Sequence, residues 1–180
     1  MAIQTTHRAR ALAILCEAYG STMTIGSGRF TAAPLDRRLE DHDLAALERS
    51  VEVVARGRAP IGYNNPLDGR GLYYAPVVVR VGYVLTGAGD VYDATGQQSG
   101  DATLAAIEDR AAEDAHDIEA ALGWYANWGG LDPQVIDCEP DPEGRAEGWL
   151  TILEDRAIAE VPLRMTLKAT LPGSYGPALT

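Results

Sequence analysis

The sequence predicts an α+β fold in which a mostly antiparallel sheet is packed by an N-terminal helix and a long central helix. Two patterns carry this prediction. Apolar residues recur at helical spacing between residues 101 and 122, and they alternate with polar residues over 74–86 and 157–169, as in half-buried strands. A chain of 180 residues is also the length of one ordinary domain, which buries about 70% of its unfolded surface. We therefore expect a single domain over residues 1–180.

The first helix is predicted to begin near Thr6, a favourable N-cap residue, and to run to Tyr19. Its predicted apolar face consists of residues spaced by three and four: Leu12, Leu15, Cys16 and Tyr19. Two arginines precede an apolar stretch here, an arrangement that signal peptides share. Glu17 interrupts the stretch and no small-residue cleavage site follows, so we interpret the segment as a folded helix.

Two strands, two long loops and one ambiguous segment are predicted in the middle of the chain. Residues 34–49 are either a short helix or a loop, because four leucines recur in a very polar stretch. Residues 51–55 alternate as a half-buried strand does, and a longer strand follows over 74–86. Extended loops are expected at about 57–71 and 87–100, since each contains four glycines. The predicted core face of the longer strand consists of Val77, Val79, Val81, Tyr83 and Leu85.

The central helix is predicted over Asp101–Leu122 and is both amphipathic and acidic. Its apolar stripe consists of Leu104, Ile107, Ala111, Ala115, Ile118 and Leu122. The carboxylates that we place off this stripe are Glu108, Asp109, Glu113, Asp114, Asp117 and Glu119. Apolar shielding is what raises a carboxyl pKa for acid–base work. We therefore interpret these carboxylates as a solvated helix face rather than as a catalytic cluster.

The plainest strand pattern covers residues 157–169, near the C-terminus. Pro162 lies within it and has no N–H to donate, which predicts that this position is at a sheet edge or a bulge. A shorter strand is predicted over 149–153, followed by a tight turn or a continuation at 154–156. The last residues, about 172–180, are expected to form a loose tail.

No constellation of residues in the sequence indicates catalysis, a cofactor or a metal. The segment Asp137–Gly148 spaces its carboxylates as calcium loops do, but Pro142 stands where such a loop needs glycine and Gly148 where it needs glutamate. We interpret this segment as an acidic loop between two strands. The three histidines lie far apart and lack the spacing of a zinc site. We therefore predict a protein that is not an enzyme and has no cofactor.

The charge is unevenly distributed and limits the classes of partner. The formal net charge is −11, and residues 101–160 contain sixteen acidic and three basic side chains. Such a surface repels phosphate backbones, so direct nucleic-acid binding is not expected. No stretch approaches the roughly 20 apolar residues that cross a bilayer, so membrane insertion is not expected either. Cys16 and Cys138 make no disulfide framework and favour a reducing cytoplasm.

Four segments span most of the chain: ARALAILCEAYG, YYAPVVVRVGYVLTG, DATLAAIEDRAAEDAHDIEAAL and LEDRAIAEVPLRMTLKATL. In this order they resemble the tail terminator proteins of long-tailed (siphovirus-like) bacteriophages and of related tail-like particles. The resemblance lies in the order of elements rather than in a residue motif. It implies a structural virion protein with an α+β fold, which forms a homohexameric ring that caps the tail tube and joins it to the head connector.

The resemblance also implies partners and a location. The partners would be the tail tube protein and the head–tail connector proteins, in the tail or neck of a virion assembled in the host cytoplasm. The acidic excess leads to a compatible hypothesis of our own, in which Glu113, Asp114 and Asp117 face a channel or a partner and repel passing DNA. The loop at 87–100 would be an arm ordered between subunits. Trp124 and Trp128, at the end of the central helix, are typical of a core or of an interface. With Tyr92 they are candidate subunit-interface residues.

Two other classes of protein remain compatible with the sequence. One is an acidic inhibitor or immunity-type protein that covers a basic nuclease site, which would be a monomer when free and form a tight one-to-one complex. The other is a small α+β hydrolase or isomerase, which would hold a buried carboxylate of strongly raised pKa in a pocket.

Overall fold

A computed structural model of the chain describes residues 5–16, 30–34, 37–55, 61–65, 70–85, 100–128, 135–142 and 149–170. Within these residues seven strands form one mostly antiparallel sheet, against which the α-helices pack. The protein therefore has the predicted α+β fold.

The helices are α1 (Thr5–Cys16), α2 (Leu44–Leu47), α3 (Gly100–Gly123) and α4 (Tyr125–Trp128), with a short 3₁₀ helix at Leu39–Asp41. The strands are β1 (Thr31–Ala32), β2 (Ser50–Ala55), β3 (Ile61–Asn65), β4 (Arg70–Val84), β5 (Val135–Pro140), β6 (Leu150–Ile152) and β7 (Arg156–Thr170).

The sheet is built around β4 and β7, two strands of 15 residues that pair antiparallel along their whole length. The pairing runs from Arg70 opposite Thr170 to Val84 opposite Arg156. Strands β2 and β3 lie end to end beside β4, while β5 and β6 lie end to end beside β7. Strand β1 pairs with β2 in parallel. The two long strands are therefore interior, and short strands form both edges.

One face of the sheet packs against α1 and α3 and holds the main hydrophobic core. The predicted core face of β4 is confirmed by the burial of Val77, Val79, Val81 and Tyr83. The apolar stripe of α3 is also confirmed, by the burial of Ile107, Ala111, Ile118 and Leu122. Strand β7 adds Ala157, Ala159, Val161, Leu163, Met165 and Leu167. Since burying one Val or Leu side chain stabilises the fold by about 1.5–3 kcal/mol, this core is a dominant favourable contribution.

The opposite face of the sheet is covered at one end by the 3₁₀ helix and α2. Leu39 and Leu47 are fully buried there and pack with Ile158 of β7. Gly82 allows this close approach, because a Cβ at that position would lie 2.5 Å from Leu47 Cδ1. The segment predicted as either a short helix or a loop, residues 34–49, thus contains two short helices whose leucines anchor them on the sheet.

The extended loop predicted at about 57–71 is wrong in part. Strand β3 occupies Ile61–Asn65 within it, and β4 begins at Arg70. The two strands form an antiparallel hairpin in which Asn65 lies opposite Arg70. Glycine and proline in this stretch favour turns, but a ladder is made by backbone groups, and the long strand β4 supplies a partner whatever side chains β3 carries.

The sequence predicts that Pro162 is at a sheet edge or a bulge, but Pro162 lies inside the interior strand β7, opposite Val78. Its carbonyl accepts a hydrogen bond from the Asp141 N–H at 3.0 Å, on the side of β7 that carries β5 and β6. Strand β5 ends opposite Leu163 and β6 begins opposite Ala159, which leaves a gap between them. Asp141 follows β5 and lies opposite Pro162, so the ring nitrogen faces Asp141 with no proton to donate. The proline therefore removes the second hydrogen bond of the Asp141–Pro162 pair, at the position where β5 ends.

Two further predicted elements are confirmed. Helix α3 covers the predicted helix over 101–122, and β6 lies within the strand predicted over 149–153. The Leu153 N–H donates to the Arg156 carbonyl at 2.8 Å, which closes a tight turn between β6 and β7. The predicted N-terminal helix is α1, described as far as Cys16.

The acidic loop predicted over 137–148 is wrong at its start, because Asp137 and the next three residues belong to β5. Other predictions lie outside the described residues. They are the arm at 87–100 apart from Gly100, which begins α3, together with residues 143–148 and the tail at 172–180.

Candidate functional site

The acidic face of α3 contains both exposed and buried carboxylates. Glu113 is exposed and Asp117 is half-buried, whereas Asp114 is fully buried. Asp114 therefore does not face a channel or a partner, and the prediction for this residue is wrong. It follows Ala111 by three residues and precedes Ile118 by four, which places it on the apolar stripe. That spacing is the sequence signal that could have identified it.

Asp114 belongs to a buried polar cluster with Tyr83 and Arg49. The Tyr83 hydroxyl donates to Asp114 Oδ2 at 3.0 Å, and Arg49 Nε lies 3.2 Å from the same oxygen. Burial raises the pKa of Tyr83, and the neighbouring carboxylate raises it further, so the phenol keeps the proton that it donates. The cluster lines neither of the two clefts described below, and its contacts fit a structural clamp between α3, β4 and the start of β2.

The aromatic residues proposed for an interface have different environments. Trp128 is fully buried, and its indole N–H donates to the Leu122 carbonyl at 2.6 Å. Asn127 donates in the same way to the Ala121 carbonyl at 2.7 Å, so α4 satisfies carbonyls that the end of α3 leaves open. Trp128 is therefore a core residue rather than an interface residue. Trp124 is 43% exposed, and Tyr92 lies outside the described residues.

A cleft of about 330 Å³, here called the α3 cleft, opens beside the gap between β5 and β6. Helix α3 lines one wall with Ala112, Ala115, His116 and Glu119. The other wall consists of Trp149, Glu160, Val161 and Pro162. The lining is mostly apolar, and the alanine side chains of α3 are small. The volume is at the lower end of the range for ligand sites, which begins at about 300 Å³.

Next to this cleft, residues 149–153 form an open apolar edge of the sheet, called here the β6 edge. Trp149, Ile152 and Leu153 are 38%, 45% and 40% exposed, unusually high for large apolar side chains. The Trp149 carbonyl accepts from the Glu160 N–H, so the alternate residues Leu150 and Ile152 direct their backbone groups away from β7. Within the described residues β6 pairs only with β7, which leaves these groups open to another strand.

The opposite face of the sheet carries a charge network around Arg80. Its guanidinium hydrogen-bonds both Glu40 and Glu52, and its Nε lies 3.2 Å from Glu160 Oε1. The hydrogen bond from Arg80 holds the pKa of Glu40 below its usual value. Arg80 and Glu160 lie opposite each other in the β4–β7 ladder, so strand register brings this pair together. The alternation of side chains in the sequence did not identify Arg80 and these three glutamates as a cluster.

The fold and the β6 edge together define an α+β protein with an open, apolar sheet edge. No protein-family model matches the chain, and no curated protein sequence matches it. Among the described residues, no group of three or more histidine, cysteine or acidic side chains is placed to hold a metal ion. No helix in the described part of the chain is long and apolar enough to cross a bilayer.

Proposed function

We propose that the protein is a structural subunit of a bacteriophage tail or a related tail-like particle. In this proposal it is a tail terminator, located in the tail or neck of the virion, whose homohexameric ring caps the tail tube and joins it to the head connector. The observation that carries the proposal is the β6 edge with the α3 cleft beside it. Exposed apolar side chains and open backbone groups on one strand are both stabilised when another protein chain covers them.

The order of elements supports the same proposal. An N-terminal helix, a mostly antiparallel sheet, a long α3 and closing strands follow one another as in the resemblance to tail terminators. A fold alone hosts many functions, so this agreement is secondary to the exposed edge.

Light scattering and negative-stain microscopy of the purified full chain test the ring, with and without isolated tail tubes. We expect a six-fold ring whose solution mass is that of six chains, in at least one of the two conditions. A monomer under both conditions would contradict the proposal. A monomer that forms a tight one-to-one complex with a basic nuclease would favour the acidic-inhibitor class instead.

A matched pair of variants tests whether the β6 edge forms the assembly surface. Ile152→Lys places a charge on the 45% exposed edge residue, and Leu44→Lys places the same charge on the 37% exposed residue of α2. We expect the first variant to fold but to remain monomeric, because burying an unpaired ammonium in an interface is costly. The second should assemble as the wild type does. Equal assembly of both variants would show that the β6 edge is not the assembly surface.

A further inference from the structure

A second and smaller cleft lies at the opposite edge of the sheet from β6, next to β1 and β2. It has a volume of about 120 Å³ and will be called the arginine cleft. Arg8 reaches it from α1, and Arg37 and Arg38 reach it from the segment before the 3₁₀ helix. Ala33, Pro34, Glu52 and Val53 complete the described lining. Three cationic side chains thus converge on one small space in a chain whose net charge is −11.

Among the described lining residues, one carboxylate faces three guanidinium groups. Glu52 already accepts a hydrogen bond from Arg80, which lies behind the cleft. Arg38 Nη1 is 3.7 Å from Glu52 Oε2, and the Arg38 side chain is 57% exposed. Within the described residues neither Arg8 nor Arg37 forms an ion pair. Like charges around one space repel each other, so an anion placed between them is attracted.

We propose that the arginine cleft binds a phosphate group, either as free phosphate or as a small phosphate ester. Guanidinium groups present planar donor forks that match oxyanions. A tetrahedral phosphate has enough oxygens to accept from three arginines that approach from two segments, whereas one bidentate arginine satisfies both oxygens of a carboxylate. The volume of about 120 Å³ leaves room for one oxyanion.

The charge of the remaining chain favours a small ligand over a nucleic acid. Residues 101–160 carry sixteen acidic and three basic side chains, which repel a polymer of phosphates but leave a single phosphate free to enter a local basic cleft. The inference stands on the cleft alone and does not depend on the proposed function.

Calorimetric titration with inorganic phosphate at constant ionic strength, with chloride as the reference anion, tests the proposal. We expect one phosphate per chain in the wild type. Arg37→Gln, at an exposed position outside the helices and strands, should weaken phosphate binding about tenfold or more, because it removes charge-assisted hydrogen bonds. Arg110 is on α3, pairs with Glu48 and lies outside the arginine cleft, so Arg110→Gln should leave phosphate binding unchanged. Circular dichroism checks that both variants fold.

A variant that removes a negative charge from the arginine cleft gives a second test of the proposal. Glu52→Gln removes the negative charge from the lining and should tighten phosphate binding, whereas a purely structural role of these residues gives no such gain. Phosphate that binds no better than chloride would overturn the proposal, as would equal losses in Arg37→Gln and Arg110→Gln. Duplex DNA that displaces phosphate at comparable phosphate concentration would overturn the restriction to small ligands.

Discussion

At the scale of single residues, Asp114 shows how a charged side chain is accommodated in an apolar core. An unpaired buried carboxylate costs several kcal/mol, so such groups persist only with partners. Tyr83 donates to Asp114, and Arg49 brings its positive charge to the same oxygen. Arg49 adopts a φ of 52°, uncommon for a residue other than glycine, and its N–H donates to the Gly82 carbonyl at 2.8 Å. The backbone and side chain of Arg49 thus join β2 and β4 to α3.

The buried cluster predicts that two Asp→Asn substitutions on α3 differ strongly in their effect on the free energy of unfolding. Asp114→Asn removes the charge that balances Arg49 and should lower the free energy of unfolding by about 3 kcal/mol. Asp109→Asn, at an exposed position of the same helix, should change it by less than about 0.5 kcal/mol. Urea unfolding at pH 7 measures both values. Similar effects of the two substitutions would show that the buried cluster does not contribute to stability.

At the scale of elements, the sequence predicts the helices and strands whose apolar side chains keep a helical or alternating spacing over many residues. Helix α3 and strand β7 have long periodic patterns, and both are present. The hairpin of β3 with β4 is missed because Ile61–Asn65 is short and lies in a stretch rich in glycine and proline. Its pairing is made by backbone contacts with β4, which begins five residues after β3 ends. The α3 cleft is missed for a related reason. It depends on the gap between β5 and β6 at Pro162, a property of strand register that no local pattern encodes.

The packing of α2 on the sheet depends on the absence of a side chain at Gly82. Gly82→Ala would place a Cβ 2.5 Å from Leu47 Cδ1 and 3.0 Å from the Leu47 carbonyl oxygen, so α2 must shift. We expect a loss of about 1–3 kcal/mol in the free energy of unfolding from overpacking. Leu47→Ala relieves part of the clash, so the double variant should lose less than the sum of the single losses. Additive losses in chemical denaturation would contradict direct packing.

At the scale of the whole molecule, charge and apolar surface are separated. Acidic side chains cover the outer face of α3, whereas the arginine cleft lies beside β1 and β2, and the β6 edge lies on the other side of the long strands. A subunit with unlike edges makes heterologous contacts with its copies, and such contacts generate a ring when the rotation closes. This separation is compatible with the proposed ring, in which the edges would contact neighbouring subunits and the acidic helix would not.

In the proposed ring, the acidic face of α3 would line the channel and keep DNA from adhering to the wall. Replacing Glu113 and Asp117 together by lysine should then produce rings that retain duplex DNA in gel-shift assays, and retention should weaken steeply between about 50 and about 200 mM salt. The control replaces Asp41 and Asp43, exposed carboxylates outside α3 and outside the β6 edge, by lysine and changes the net charge equally. We expect control and wild-type rings to retain no DNA. Equal retention by the two double variants would show that net charge, rather than the position of α3, determines binding.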